Sequence, residues 1–272
     1  VLFYLLSEED PSLAERRRSG VAPMSFREQM APLRNLQVWR FSLYYFFVFG
    51  AFVALALWLP HYLTGAYGLD VKTAGLLAAC YSIPASLFRI VGGVLSDRIG
   101  ARRVMYWTFG ASVVCTFLLA YPDTQYVVKG IEGDIAFHMA LGVVPFTVLV
   151  FVLGFFMSLG KAAVYKHIPV YYPNHVGAVG GVVGMIGGLG GFLLPIAFGA
   201  MNDLVGVWTS CFMLLFVLVS ASLAWMHFAI RRMEVRHFPQ IGRETDLPEI
   251  ISAQESRPTV APGMARKLQL PA

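Results

Sequence analysis

Arg89 is the residue from which a chemistry can first be read. It lies in the apolar run Val71–Leu95, eight residues before Asp97. If that run is a helix crossing a bilayer, eight residues at ~1.5 Å each place Arg89 about 12 Å inward of the edge that Asp97 marks. That depth is close to the middle of a ~30 Å hydrocarbon core. An arginine there costs at least about 2.5–3.5 kcal/mol, so it must face a polar cavity or a counter-charge. No Asp or Glu lies inside any of the long apolar runs. The counter-charge then comes from outside them, either as an internal salt bridge supplied by another part of a longer protein or, the favoured reading, as a bound anion.

A second cue is the run Gly177–Pro195, GAVGGVVGMIGGLGGFLLP. On a helix, Gly177, Gly180, Gly184, Gly187 or Gly188, and Gly191 recur at steps of three and four, which strips one face to bare backbone. In water each interior glycine would cost about 1 kcal/mol relative to alanine. In a bilayer the helix must keep its backbone bonded in any case, and a bare face admits a neighbouring helix or a small ligand. The run is not a phosphate-binding loop, because no G-x-x-x-x-G-K-[ST] occurs, and it lacks the third glycine of a dinucleotide site. A third cue is the loop Gly93–Arg103, GVLSDRIGARR. Gly93 would let helices approach. Asp97 can pair with a basic residue or a helix N-terminus, and Gly100 suits a tight turn. Arg98, Arg102 and Arg103 would hold the loop at a lipid headgroup layer.

The elements that position these residues follow from composition. The chain is 57% hydrophobic and only 14% charged, against about 25% charged in a soluble domain. It is therefore an integral membrane protein. Its net charge of +5 does not indicate nucleic acid, because the basic residues sit in connections between apolar runs. Six spans are predicted: Trp39–Leu63, Val71–Leu95, Val104–Tyr121, Met139–Tyr165, Val176–Met201 and Val207–Ile230. Lys and Arg cluster before the first span, after the second and after the sixth, which predicts both termini in the cytoplasm. Trp39, Tyr62, Tyr67, Trp107, Tyr171 and Tyr172 fall near span ends, as interfacial aromatics do. Residues 1–38 read as the end of a preceding span plus a cytoplasmic loop, 39–230 as the bundle, and 231–272 as a disordered, proline-rich cytoplasmic tail. The chain is thus expected to be the back part of a longer protein. Cys80, Cys115 and Cys211 have no metal or disulfide spacing and read as buried fillers. No H-E-x-x-H or paired-cysteine motif suggests an enzyme, a metal or a cofactor.

Several of these motifs occur together in a known family. Gly93–Arg103 resembles the signature loop of the major facilitator superfamily, G-x-x-x-D-[RK]-x-G-[RK]-[RK], departing from it at Ala101. Gly181–Pro195, GVVGMIGGLGGFLLP, is similar to the nitrate signature of the NarK-type nitrate/nitrite porters within that superfamily. Ser42–Gly50, Phe88–Arg98 and Leu159–Tyr165 resemble that family's seventh, eighth and tenth helices. The likeness spans about Trp39–Ile230. It implies an all-α six-transmembrane-helix bundle equivalent to the C-terminal half of a twelve-helix fold, without its N-terminal half. It also implies transport of nitrate or nitrite by alternating access in the plasma (inner) membrane of a bacterium. The other readings are a porter for a different small anion or organic acid, and a non-transporting sensor or interaction module.

Residue by residue, the resemblance assigns Arg89 to holding the anion, Tyr45 and Phe49 to its surroundings, and Tyr165 to a ring beside it. Gly184, Gly187 and Gly188 fall on the strip that meets substrate. Gly93, Asp97, Arg98, Gly100, Arg102 and Arg103 form a cytoplasmic gate latch. A guanidinium fork can bond two oxygens of a flat monoanion in one plane, and aromatic faces can cover it. Lys161 departs from the family's usual small polar residue. One turn before Tyr165 and on its face, it would either couple proton movement to anion entry or attract anions to the vestibule.

Overall fold

The computed structural model describes residues 25–237. The segments expected to end a preceding span and to form the tail fall largely outside those residues. Six helices follow the six apolar runs: α1 Leu36–Tyr67, α2 Val71–Ile99, α3 Ala101–Leu119, α4 Val143–Tyr171, α5 Val176–Val205 and α6 Ser210–His237. Five of them, all but α3, are long and apolar enough to cross a membrane. With 19 residues, α3 still reaches about 28 Å, but Arg102 and Arg103 in its first turn lower its hydropathy.

The helix ends obey local chemistry. The Asn35 side chain accepts a hydrogen bond of 3.0 Å from the Gln37 N–H and opens α1. Asp70 accepts one of 3.0 Å from the Thr73 N–H and opens α2. Hydrogen bonds from Thr73 hold the Asp70 carboxyl below its usual range. Gly68 and Gly206, with φ of 65° and 76°, close α1 and α5 in the left-handed conformation.

Two interruptions were not expected. Within α1, Phe46–Ala51 winds as a π-helical stretch. In α2 the regular helix is interrupted at Phe88, whose N–H still donates a hydrogen bond of 3.0 Å to the Pro84 carbonyl; the bond that Pro84 itself removes is the one to the Cys80 carbonyl, a turn earlier. Arg89 is the first helical residue beyond that break.

The connection between α3 and α4 differs most from expectation. It is a β-hairpin, with β1 Thr124–Lys129 pairing antiparallel to β2 Asp134–Met139. The predicted fourth span therefore loses Met139 to a strand, starts at Val143 and runs on to Tyr171.

The bundle packs through small residues and rings. A Cβ on Gly92 would lie 2.6 Å from the Leu159 Cα, so α2 and α4 touch backbone to backbone. Among the described residues this close approach is made at Gly92, and a Cβ on Gly93 would meet nothing within 4 Å. On α4, Gly154 seats the Tyr81 ring and Gly160 seats Thr108 and Val48. Tyr62 is not interfacial but core: it is 2% exposed and stacks on Phe146 with centroids 5.0 Å apart. Cys115 and Cys211 are buried as expected, whereas Cys80 is exposed, and all three are free thiols.

Gly92→Ala should lower the thermal unfolding midpoint of the detergent-solubilised protein, by an amount corresponding to about 1–3 kcal/mol of overpacking. Gly93→Ala should leave it unchanged. Circular dichroism melts of the two variants check both.

Candidate functional site

The glycine strip of α5 is used on one side only. A Cβ on Gly187 would fall 2.3 Å from the Tyr45 ring and 3.3 Å from Phe49, and one on Gly190 would fall 2.9 Å from both the Gly50 Cα and Phe46. Gly191 similarly abuts Val53. Gly184 faces the Tyr165 hydroxyl, which donates a hydrogen bond of 3.2 Å to the Gly180 carbonyl. Among the described residues, a Cβ on Gly177, Gly181 or Gly188 would meet nothing within 4 Å. Gly188, grouped with the site from sequence, thus lies on the strip but touches none of the site's other residues.

The rings opposite the strip form one cluster. Tyr45 stacks on Phe49 with centroids 5.1 Å apart and an interplanar angle of 11°. It meets Tyr165 edge-on at 4.8 Å and 75°. The Arg89 guanidinium lies within electrostatic reach of the Tyr45 hydroxyl and the Lys161 side chain. Residues from α1, α2, α4 and α5 therefore converge: Tyr45 and Phe49, Arg89, Tyr165 and Lys161, and Gly184 and Gly187. Arg89 itself is exposed, and among the described residues no carboxylate pairs with it.

Lys161 is 4% exposed. Its Nζ sits 3.0 Å above the centre of the Phe52 ring. A cation–π contact gives a desolvated ammonium partial compensation, and Lys161 has no carboxylate partner among the described residues. Phe52 was not singled out by sequence reasoning. Its signal is weak, because it is one phenylalanine among 21. Together Arg89, a fixed cation, and Lys161, a cation when protonated, give the site positive charge, rings and bare backbone, a set whose charge favours an anion over a cation. No group of three or more His, Cys, Asp or Glu that could hold a metal occurs among the described residues.

The loop after α2 has its own geometry. The Asp97 carboxylate contacts the Lys166 ammonium of α4, which ties the end of α2 to the end of α4. Gly100, at φ 90°, turns the chain directly into α3. Arg98 and Arg103 are exposed, and Arg102 is half-buried.

Comparison with known proteins agrees with this architecture. The Major Facilitator Superfamily matches the chain over residues 1–128 and 41–262. A protein of Thermus thermophilus, described as a probable nitrate/nitrite antiporter NarK1, is 49% identical over 209 residues, covering 76% of this chain and 47% of its own length. The nitrite extrusion protein of Bacillus subtilis (strain 168) is 29% identical over 204 residues, 74% of this chain and 47% of its own. A probable nitrate transporter NarT of Staphylococcus haemolyticus is 32% identical over 181 residues, 66% of this chain and 42% of its own. The chain spans about half the length of the curated relatives it matches.

Gly187→Ala should displace the Tyr45 ring and lower the melting midpoint, whereas Gly188→Ala should not. Thermal unfolding of the two variants side by side checks this.

Proposed function

Because this chain belongs to the Major Facilitator Superfamily, we propose that it forms the C-terminal six-helix half of a transporter for nitrate or nitrite, working by alternating access. The observation that carries the reading is the meeting of Arg89, Tyr45, Phe49 and Tyr165 opposite the glycines of α5. Arg89 supplies a planar, always-charged fork that can hold two oxygens of the anion. The aromatic faces cover its flat surface, and the glycines leave room for it at close range. Arg89, exposed on this half alone, would face the second half across the pathway, as expected for a site at the interface of two repeats.

In this reading the protein lies in the plasma membrane of a bacterium with both termini in the cytoplasm. Asp97 and Lys166, with Gly93, Arg98, Gly100, Arg102 and Arg103, close that side when the halves rock. Lys161 takes up a proton at Nζ when the anion enters and releases it when the anion leaves, so that charge is balanced by symport. The observation behind this is its burial on Phe52 beside Arg89 without a carboxylate.

The test uses the chain joined to the half of the Thermus thermophilus relative that it does not match, expressed in a bacterium lacking its own nitrate transport. Nitrate and nitrite uptake should appear, while formate and small organic acids should be carried poorly. Equal uptake of organic acids, or none of nitrate or nitrite, overturns the substrate assignment. Arg89→Gln should reduce uptake by about 10–150-fold, the equivalent of one charge-assisted hydrogen bond of about 1.5–3 kcal/mol. Lys161→Met, which keeps the stem packed, should abolish the sensitivity of uptake to an uncoupler. Unchanged sensitivity would refute the proton role and leave the anion site standing.

A further inference from the structure

The hairpin between α3 and α4 belongs to none of the machinery above, yet its two faces are unlike. Its register pairs Thr124 with Met139, Tyr126 with Phe137 and Val128 with Ile135 on one face. The other face carries Gln125 opposite His138, Val127 opposite Ala136 and Lys129 opposite Asp134. Side chains alternate across a strand, so the first face is apolar except for a threonine and a tyrosyl hydroxyl. The second face is mostly polar, and His138 there contacts Asp123.

The apolar face is largely uncovered, with Thr124 and Tyr126 half-buried. Val128 is 48% exposed, Ile135 59% and Phe137 44%, and Ile131 at the turn is fully exposed. Among the described residues, neither strand makes an extended packing contact with a helix. Tyr126 and Phe137 stack at 5.2 Å, which organises the face without burying it. A two-stranded hairpin is marginal in water unless its apolar side is covered.

The position of the hairpin identifies the cover. Residues 120–123 join it to α3 and 140–142 join it to α4. Connectors of that length span at most about 10–14 Å, so the base of the hairpin stays at the ends of two membrane-spanning helices. The headgroup layer that begins there is about 5–8 Å deep. The last turns of α3 expose Val114, Phe117 and Leu118, so an apolar outer surface leads directly into the hairpin. At its far end the turn carries Lys129 and Glu132, whose charged ends can reach water while Ile131 does not have to.

We propose that this hairpin is an interfacial anchor that lies with its Tyr126–Phe137 face on the lipid headgroup and acyl boundary, its Gln125–His138 face toward water. Tyrosine suits that position, with its ring in the apolar layer and its hydroxyl in the wet one. The anchor holds the α3–α4 connection against the membrane plane while both flanking helices cross it.

Spin labels on the two faces test this. Exposed Cys80 is replaced by alanine, while Cys115 and Cys211, which are buried, are left in place. Single cysteines are then introduced as Val128→Cys and Ile135→Cys on one face, and Val127→Cys and Ala136→Cys on the other. The labelled full chain is reconstituted into phosphatidylethanolamine–phosphatidylglycerol vesicles. Collision with lipid-soluble oxygen, relative to a water-soluble nickel chelate, should be several-fold greater for the first pair than for the second. Equal access of nickel to both faces would mean that the hairpin projects into water. Shielding of the first pair from oxygen and nickel alike would mean that protein covers it. Either result overturns the anchor. Tryptic cleavage of the unaltered chain at Lys129, the one Lys or Arg between Arg103 and Lys161, gives an independent reading. It should be several-fold slower in vesicles than in detergent too short-chained to replace the headgroup layer, and equal rates count against the anchor.

Discussion

Two helix backbones meet where α1 crosses α5, and the site is built around that crossing. A Cβ on Gly50 would sit 2.8 Å from both the Gly187 carbonyl oxygen and the Gly190 Cα. No side chain larger than hydrogen fits on either helix there. In a bilayer, where hydrophobic collapse between helices contributes little, such close backbone approach supplies dispersion and packing directly. It also sets the rings of α1 against α5: Phe46 lies on Gly190, and Tyr45 and Phe49 on Gly187. The aromatic cluster thus inherits its position from glycine contacts next to it.

Charge is organised by the opposite logic. The interior near the cluster contains Arg89 and Lys161 and no paired carboxylate among the described residues. A cation in a low-dielectric setting is costly when unpaired. Lys161 recovers part of that cost from the Phe52 ring, and Arg89 stays exposed on this half. Carboxylates appear at the edges instead, where Asp97 meets Lys166 and Asp123 meets His138.

Much of this was legible in the sequence because the bilayer imposes few solutions. Span number followed from hydropathy, and Arg89 stood out because arginine is expensive at mid-depth. Tyr45, Phe49 and Tyr165 came from resemblance to a family, and the structure brings them together. Other features were hidden for physical reasons. Gly92 and Gly93 are adjacent, and only the phase of α2 against α4 decides which one meets Leu159. Tyr62 lies near a span end, as interfacial tyrosines do, but that end packs against Phe146 and Phe212. The hairpin is hard to see in the sequence because Asp123, Lys129, Glu132 and Asp134 mask a short alternation of apolar residues. Phe52 as a platform for Lys161 depends on a contact between helices that no local pattern records.

The π-helical stretch Phe46–Ala51 has the effect of a frameshift written into one helix. Tyr45 and Phe52 are seven residues apart, a spacing that on an uninterrupted α-helix would align them on one seam. The wide turn between them uses about one extra residue, roughly 100° of rotation. Tyr45 accordingly meets α5 at Gly187, while Phe52 turns to Tyr81 of α2 and Lys161 of α4. A single helix thereby addresses two different partners with one periodic sequence, and a helical wheel drawn through the stretch would assign half of its faces to the wrong neighbours.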